Sequence, residues 1–360
     1  MIRYFNFVFC FLFFHSLTCT AKNITWRDEC VGYYRLQLPE KLETGLYPTE
    51  RVIVDGGGID AFFGKFYEHE SRYEGKVNIK GQYSRFYYND YRIMVSDKAI
   101  NVNKYKKRIS LRLSQHHHVY SIKEYLPDVF FLTYEKSHSL YINKDGRLYQ
   151  FTIAGSNDTR PENDLNLNKE SDVHSLLSRF HTRELYEMPS GQGFCLPYGF
   201  IDETTGKAER HMAVTYRMTD HPDVMILFQD ASFQFRVPIN NDDLKDIKNY
   251  DAKDYAKWLW NNIYMLYPNQ ERKLLWPRWF TVKMDGRKGV GSFLEVTKEN
   301  GEKDYGYLAF VRGNPDNLIE EPDLQVFVSS VSDIAEGHPR MTPDELKTLA
   351  EHIVNSVKHR

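Results

Sequence analysis

The clearest alternation of apolar and polar positions closes the chain. Leu346, Leu349, Ala350, Ile353, Val354 and Val357 recur at helical spacing and form one apolar face. Thr342-Pro343-Asp344-Glu345 stands immediately before them. Its Thr can cap the helix, its Glu can reach back to the cap, and its Pro sits in the first turn, where a missing N–H costs nothing. Two further helices follow from the same reasoning. Ser171 precedes Val173, Leu176, Leu177 and Phe180, and Asp251 can cap a segment carrying Tyr255, Leu259, Ile263 and Leu266 that must stop before Pro268.

Between the helices the apolar residues come in short runs that predict strands. Ser232 to Val237 alternates cleanly, with Phe233, Phe235 and Val237 on one side. Similar runs cover Ile109–Leu113, Val129–Tyr134, Leu148–Ile153, Met212–Met218, Val224–Phe228, Trp279–Met284, Tyr307–Val311 and Leu324–Val328. Asp145-Gly146 and Asp285-Gly286 read as hairpin turns, because type I′ geometry needs positive φ at both central residues. Gly155 to Glu170 reads as a solvated loop, while Gly56 to Asn103 yields no assignment.

The expected fold class is therefore α+β, in two domains each built on a mainly antiparallel sheet packed with helices. At 360 residues the chain exceeds what a single core ordinarily fills. Each half carries a Cys near its start, then strands, an Asp-Gly-Arg turn, more strands, a polar loop and a closing helix, an order that fits a structural duplication. The predicted boundaries are residues 22–184 and 185–360, with a junction near Glu184 to Pro189.

Residues 1–21 are expected to be a signal peptide. Arg3 is followed by a nearly unbroken apolar run from Phe5 to Phe14, too short to span a bilayer, and Cys19-Thr20-Ala21 places small residues where cleavage after Ala21 needs them. Lipid attachment at Cys19 is the alternative, although Ser16-Leu17-Thr18-Cys19 is a poor lipobox. Export predicts a periplasmic protein, held at a membrane only if Cys19 is lipidated. Cleavage leaves Cys30 and Cys195, which are either a disulfide, as an oxidising compartment favours, or two separately buried thiols.

Composition narrows the function classes. Net charge is −2 with a pI near 6.7, so the basic excess of a nucleic-acid binder is missing. Aromatic content reaches 15%, with 25 Tyr and 23 Phe, which suits strand-rich cores and also supplies side chains favoured at protein interfaces.

No motif commits the chain to catalysis. The segment Arg51 to Ala61 contains G-x-G-x-x-A after a short apolar run, but the window around Lys76 to Gly81 lacks the acidic residue that would hold a ribose. His116, His117 and His118 read as an exposed, polar strand end, since adjacent strand positions face opposite ways and cannot share one ion. Ser190 and Ser292 come nearest to a nucleophile elbow, and both miss Gly-x-Ser-x-Gly. The turns at Asp145 and Asp285 place Tyr141 and Thr281 where a calcium loop needs an acidic ligand. The expectation is no catalytic residue, no metal, no cofactor and no small-molecule substrate.

Two stretches are distinctive. They are Glu29-Cys30-Val-Gly-Tyr-Tyr-Arg-Leu-Gln-Leu-Pro39 and Tyr186-Glu-Met-Pro-Ser-Gly-Gln-Gly-Phe-Cys195-Leu-Pro-Tyr-Gly-Phe-Ile201, the latter followed by His221-Pro-Asp-Val224. Together they resemble the periplasmic immunity proteins that protect Gram-negative bacteria from type VI secreted lipase effectors. The resemblance implies two α+β domains that clasp a phospholipase and block substrate access or lid opening, with no chemistry of their own. It picks out no partner-binding residues here. Two other readings stay open: a structural or lipid-anchored envelope protein, and an envelope hydrolase whose site carries no familiar motif.

Overall fold

A computed structural model describes residues 24–47, 84–134, 137–153, 169–232, 251–262, 265 and 270–360. The expected signal peptide at 1–21, the glycine-rich motif at 51–61 and residues 233–237 of the alternating run lie outside the described residues. In chain order the elements are β1 (Trp26–Val31), β2 (Tyr34–Pro39), β3 (Leu42–Thr44), β4 (Arg85–Tyr88), β5 (Tyr91–Val95), α1 (Val102–Gln115), β6 (Tyr120–Leu126), β7 (Val129–Tyr134), β8 (Ser137–Lys144), β9 (Arg147–Ile153) and α2 (Lys169–Arg179). There follow β10 (Phe180–Thr182), β11 (Gly193–Leu196), β12 (Gly199–Asp202), β13 (Arg210–Met218), β14 (Val224–Ala231), α3 (Ala252–Asn262), β15 (Glu271–Leu274), β16 (Phe280–Met284), β17 (Arg287–Thr297), β18 (Lys303–Val311), β19 (Asp323–Ser330), α4 (Pro343–Ser356) and β20 (Lys358–His359).

The fold class is α+β. One antiparallel sheet runs in the order β15-β17-β18-β19-β14-β13-β4-β5-β9-β8-β7-β6, with β16 paired to β17 and β3 to β13. The pairing of β13 with β4 joins strands of the two halves of the chain. Helices cover both faces, and strand alternation explains how. On β18, Tyr307, Ala309 and Val311 pack with α4, while Leu308 and Phe310 pack with α3 from the opposite side. The central strands β14 and β19 are consequently buried at every position, and they read as continuous rather than alternating apolar runs.

Local signals act as expected at several points. Thr342 and Glu345 form a complete capping box at α4, and Asp251 accepts from the Asp254 N–H at 2.8 Å ahead of α3. Asp145-Gly146 and Asp285-Gly286 all have positive φ and turn the hairpins β8–β9 and β16–β17.

Phe180, expected to end the stripe of α2, instead begins β10. Two further expectations need correction. Ile109–Leu113 is not a strand but part of α1, capped by Asn101, which accepts from the Lys104 N–H at 2.9 Å. The buried Val102, Tyr105 and Ile109 follow helical spacing, and Leu111, which completed the apparent alternation, faces solvent. His116 to His118 are likewise not a strand end. His116 caps the C-terminus of α1 and His117 takes positive φ in the turn beyond it.

Candidate functional site

The two distinctive stretches, some 150 residues apart in sequence, meet in space. β1 and β2 form a hairpin closed by the Val31↔Tyr34 pair, and β2 continues into β20. Beside them β10, β12 and β11 make a second small sheet. Gly32 and Cys195 exchange both backbone hydrogen bonds at 2.9 Å, linking the two sheets. Cys30 and Cys195 form a disulfide, with Cα atoms 5.7 Å apart and both residues fully buried. Gly32 is required at the crossing: its φ is +60°, and a Cβ there would lie 2.5 Å from Asp230 Oδ2.

Two buried ion pairs fix this hub. Arg183 bonds the Glu29 carboxylate, and both side chains are essentially inaccessible. The guanidinium also donates to the carbonyls of Cys30 (2.8 Å), Glu187 (3.1 Å), Glu184 (3.2 Å) and Gly199 (3.3 Å), while Glu29 Oε2 accepts from the Tyr186 N–H at 2.5 Å. Arg210 Nε donates to Asp230 Oδ2 at 2.7 Å, and its guanidinium stacks 4.5 Å from the centre of the Tyr33 ring. A buried charge survives only with a partner and hydrogen bonds around it. Arg183 and Glu29 have both, while Asp230 is held through Oδ2 by Arg210 and its Oδ1 is buried without a hydrogen bond.

A third polar knot faces solvent. Glu203 accepts from the hydroxyls of Tyr33 and Tyr88, bringing β4 against the end of β12. Arg179 of α2 donates to the Tyr88 hydroxyl at 3.3 Å and to the Asp202 carbonyl at 3.1 Å. Two neighbouring clefts open here, of about 570 and 790 Å³, and share Gly191, Gln192, Thr205 and Lys207 in their walls. Arg360 reaches into the first. Its guanidinium lies 3.2 Å from Cys195 Sγ and donates to the carbonyls of Pro189 (2.8 Å) and Gly191.

Burial, reinforced by the Glu203 carboxylate, pushes the Tyr33 and Tyr88 hydroxyls far above the ordinary phenol range. Burial, aided by the nearby Asp172 carboxylate, takes Tyr91 up to about 12. Unfolded tyrosines ionise near pH ~10, so above that pH the folded state holds more protons than the unfolded one and stability must fall as pH rises. Thermal melts should be flat with respect to this effect up to about pH 10 and decline steeply from there to about pH 12. A phenolate absorbance titration of the folded chain should show a late-ionising class that moves to the ordinary range in denaturant. A single class at ordinary pKa in the folded chain would refute this.

The remaining candidates serve the framework. Ser292 is buried and accepts the Trp260 indole N–H at 2.8 Å. Asp223, from the His221–Val224 segment, accepts from the Ser330 hydroxyl at 2.6 Å, away from the hub. Among the described residues no group of three or more His, Cys, Asp or Glu side chains could hold a metal, and no helix is long and apolar enough to cross a membrane. Sequence reasoning missed Arg183, Arg210 and Glu203. Arg210 alone carried a signal, a charge opening the run that leads into the apolar β13.

The chain from Glu187 onward through β11, β12, β13 and β14 has a known counterpart. Residues 187–242 match the Tle cognate immunity protein 4 C-terminal domain. The resemblance read from the second distinctive stretch is borne out there. No curated protein matches the chain. Among solved structures, the apo form of immunity protein TplEi of the T6SS from Pseudomonas aeruginosa superposes with a TM-score of 0.55 at 14% identity, covering 93% of this chain and 97% of that one. The Tle4–Tli4 complex gives a TM-score of 0.54, also at 14% identity, with the same coverage of both chains. TplEi bound to an "L" peptide gives 0.52 at 14% identity, covering 93% and 98%. At that identity the likeness is one of fold, and it extends well beyond the segment that matches the immunity-protein domain.

Proposed function

We propose that this chain is an immunity protein that binds a type VI secreted lipase effector and inhibits it. The match of residues 187–242 to the Tle cognate immunity protein 4 C-terminal domain carries the reading. The fold shared with immunity protein TplEi, and with a chain of the Tle4–Tli4 complex, supports it along nearly the whole length. The mode of action we infer is occlusion by two units, residues 22–184 and 185–360, that block substrate access or lid opening without any covalent step. The clefts where residues of the two halves meet carry Arg179, Arg287 and Arg360 in their walls, a residue type enriched at protein interfaces. The site of action we infer is the periplasm, reached by export with cleavage after Ala21 or, alternatively, by lipidation at Cys19.

The deciding experiment mixes the purified mature chain with the co-encoded lipase. A stoichiometric complex and loss of lipase turnover at a one-to-one ratio are expected, with no hydrolysis by the chain itself. Turnover of a lipid or ester by the chain alone, abolished by a point substitution, would favour the hydrolase reading instead. Membrane fractionation that is lost on Cys19→Ser would favour the anchored form.

A further inference from the structure

Among the described residues four large apolar side chains stand exposed, and Trp276 leads them at 90%. An indole carries ~150–250 Å² of surface whose burial is among the most favourable available to any side chain. Placing it in water forgoes that gain, so its position calls for an account. Looseness does not supply one. On its N-terminal side the Leu275 N–H donates to the Phe293 carbonyl at 2.8 Å, and the Leu275 side chain packs on the main core. On its C-terminal side Trp279 packs against the cluster under α3, and Phe280 pairs with Gly291 as β16 begins. The loop is tied at both ends, and only its apex projects.

The surroundings are also those of an interface. Lys273 and Arg278 are exposed, and Arg272 donates to the Trp260 carbonyl. Within residues 271–279 there are three cations, Arg272, Lys273 and Arg278, and one carboxylate, Glu271, with Glu295 of β17 in register opposite Lys273. Across α3, Tyr255 and Trp258 stack with ring centres 5.7 Å apart, half-exposed, and Lys253 lies 5.8 Å from the Trp279 ring. Trp and Arg are the residue types that dominate measured binding energies at interfaces. A side chain already fixed before binding also saves the ordering entropy that a mobile one would lose.

We infer that Trp276 is an anchor for the lipase effector. Its indole enters an apolar recess on that protein, and carboxylates at the rim of the recess meet Arg278 and Lys273. The inference rests on the immunity reading and adds to it a contact residue and the chemistry of the partner's surface.

The test titrates the co-encoded lipase onto the wild-type mature chain and onto Trp276→Ala, Trp276→Phe and Arg278→Glu, with a thermal melt of each. Because the ring touches little of the core, Trp276→Ala should melt with the wild type. Its affinity should fall roughly 30- to 1000-fold, the range of a central aromatic anchor, mostly through faster dissociation. Trp276→Phe should keep part of the affinity. Arg278→Glu should slow association and weaken its dependence on salt. Wild type binding tightly while Trp276→Ala binds within threefold of it would overturn the anchor and leave the immunity reading intact. A lowered melting temperature accompanying the lost affinity would also overturn the anchor, since the indole would then be structural. Failure of the wild type to bind the lipase would sink both.

Discussion

Replacing Arg183 by methionine is expected to destabilise the fold by about 3–5 kcal/mol, the cost of leaving one member of a buried ion pair without its partner. Glu29 has no route to water, because its side chain is at zero exposure. With the guanidinium gone it keeps only the Tyr186 N–H. Four backbone carbonyls lose a donor in the same step, namely those of Cys30, Glu184, Glu187 and Gly199, although Glu184 still accepts from the Glu187 N–H. Glu29→Gln should be milder, about 1–3 kcal/mol, since the amide can still accept from Tyr186 and Arg183 retains its carbonyls. The order of the two variants is the diagnostic point. A pure Coulombic pair would make them equal, whereas an arginine that also closes the 184–187 turn makes its own loss the larger. Urea melts of the two variants decide this, and equal midpoints would refute the account. Binding of the lipase should weaken with Arg183→Met only as far as the hub itself opens.

The sequence disclosed the elements whose information is local. The capping box at Thr342–Glu345 and the Asp-Gly turns at 145–146 and 285–286 act through their own backbone, so a short window holds the whole signal. The strands of β7, β9, β13, β14, β16, β18 and β19 were legible from apolar runs to within a few residues, and burial on both faces explains why β14 and β19 run without alternation. α1 was misread because Ile109, Leu111 and Leu113 alternate by coincidence inside a helix whose true face is Val102, Tyr105 and Ile109. Phe180, the expected last member of the α2 stripe, instead begins β10 and pairs with Ile201. No local rule could foresee that pairing, which is set by a strand more than twenty residues later. The hub was half legible. Its two strands stood out as distinctive stretches, but the ion pairs Glu29–Arg183 and Arg210–Asp230 join residues 154 and 20 apart in the chain. Nothing in either neighbourhood marks the partner. Trp276 was not singled out because an exposed and a buried tryptophan look alike in a sequence.

Removing the cross-link between Cys30 and Cys195 is the other change expected to have a large effect. The two are 165 residues apart, and the chain-entropy relation for a closed loop of that length gives about 5 kcal/mol at 25 °C. Residual structure in the reduced unfolded chain takes part of that away, so a measured loss of about 2–5 kcal/mol is expected for Cys30→Ser with Cys195→Ser. The native state should survive with its topology unchanged. The Gly32–Cys195 backbone pair and the Arg183 network hold the same two strands without help from sulfur. The loss should therefore show in the unfolding transition and in local opening, not in the fold. Limited proteolysis reads the second effect, because the exposed Ser190–Gln192 segment lies beside the cysteine and is held by Arg360 through Pro189 and Gly191. Cleavage there should accelerate in the double variant and in reduced wild type alike. Both sulfurs are buried, so reductant acts only through the same opening, and reduction of the folded chain should be slow without denaturant. A double variant within about 1 kcal/mol of wild type, with unchanged cleavage, would mean that hydrogen bonds and ion pairs alone fasten the N-terminal hairpin to the second half of the chain.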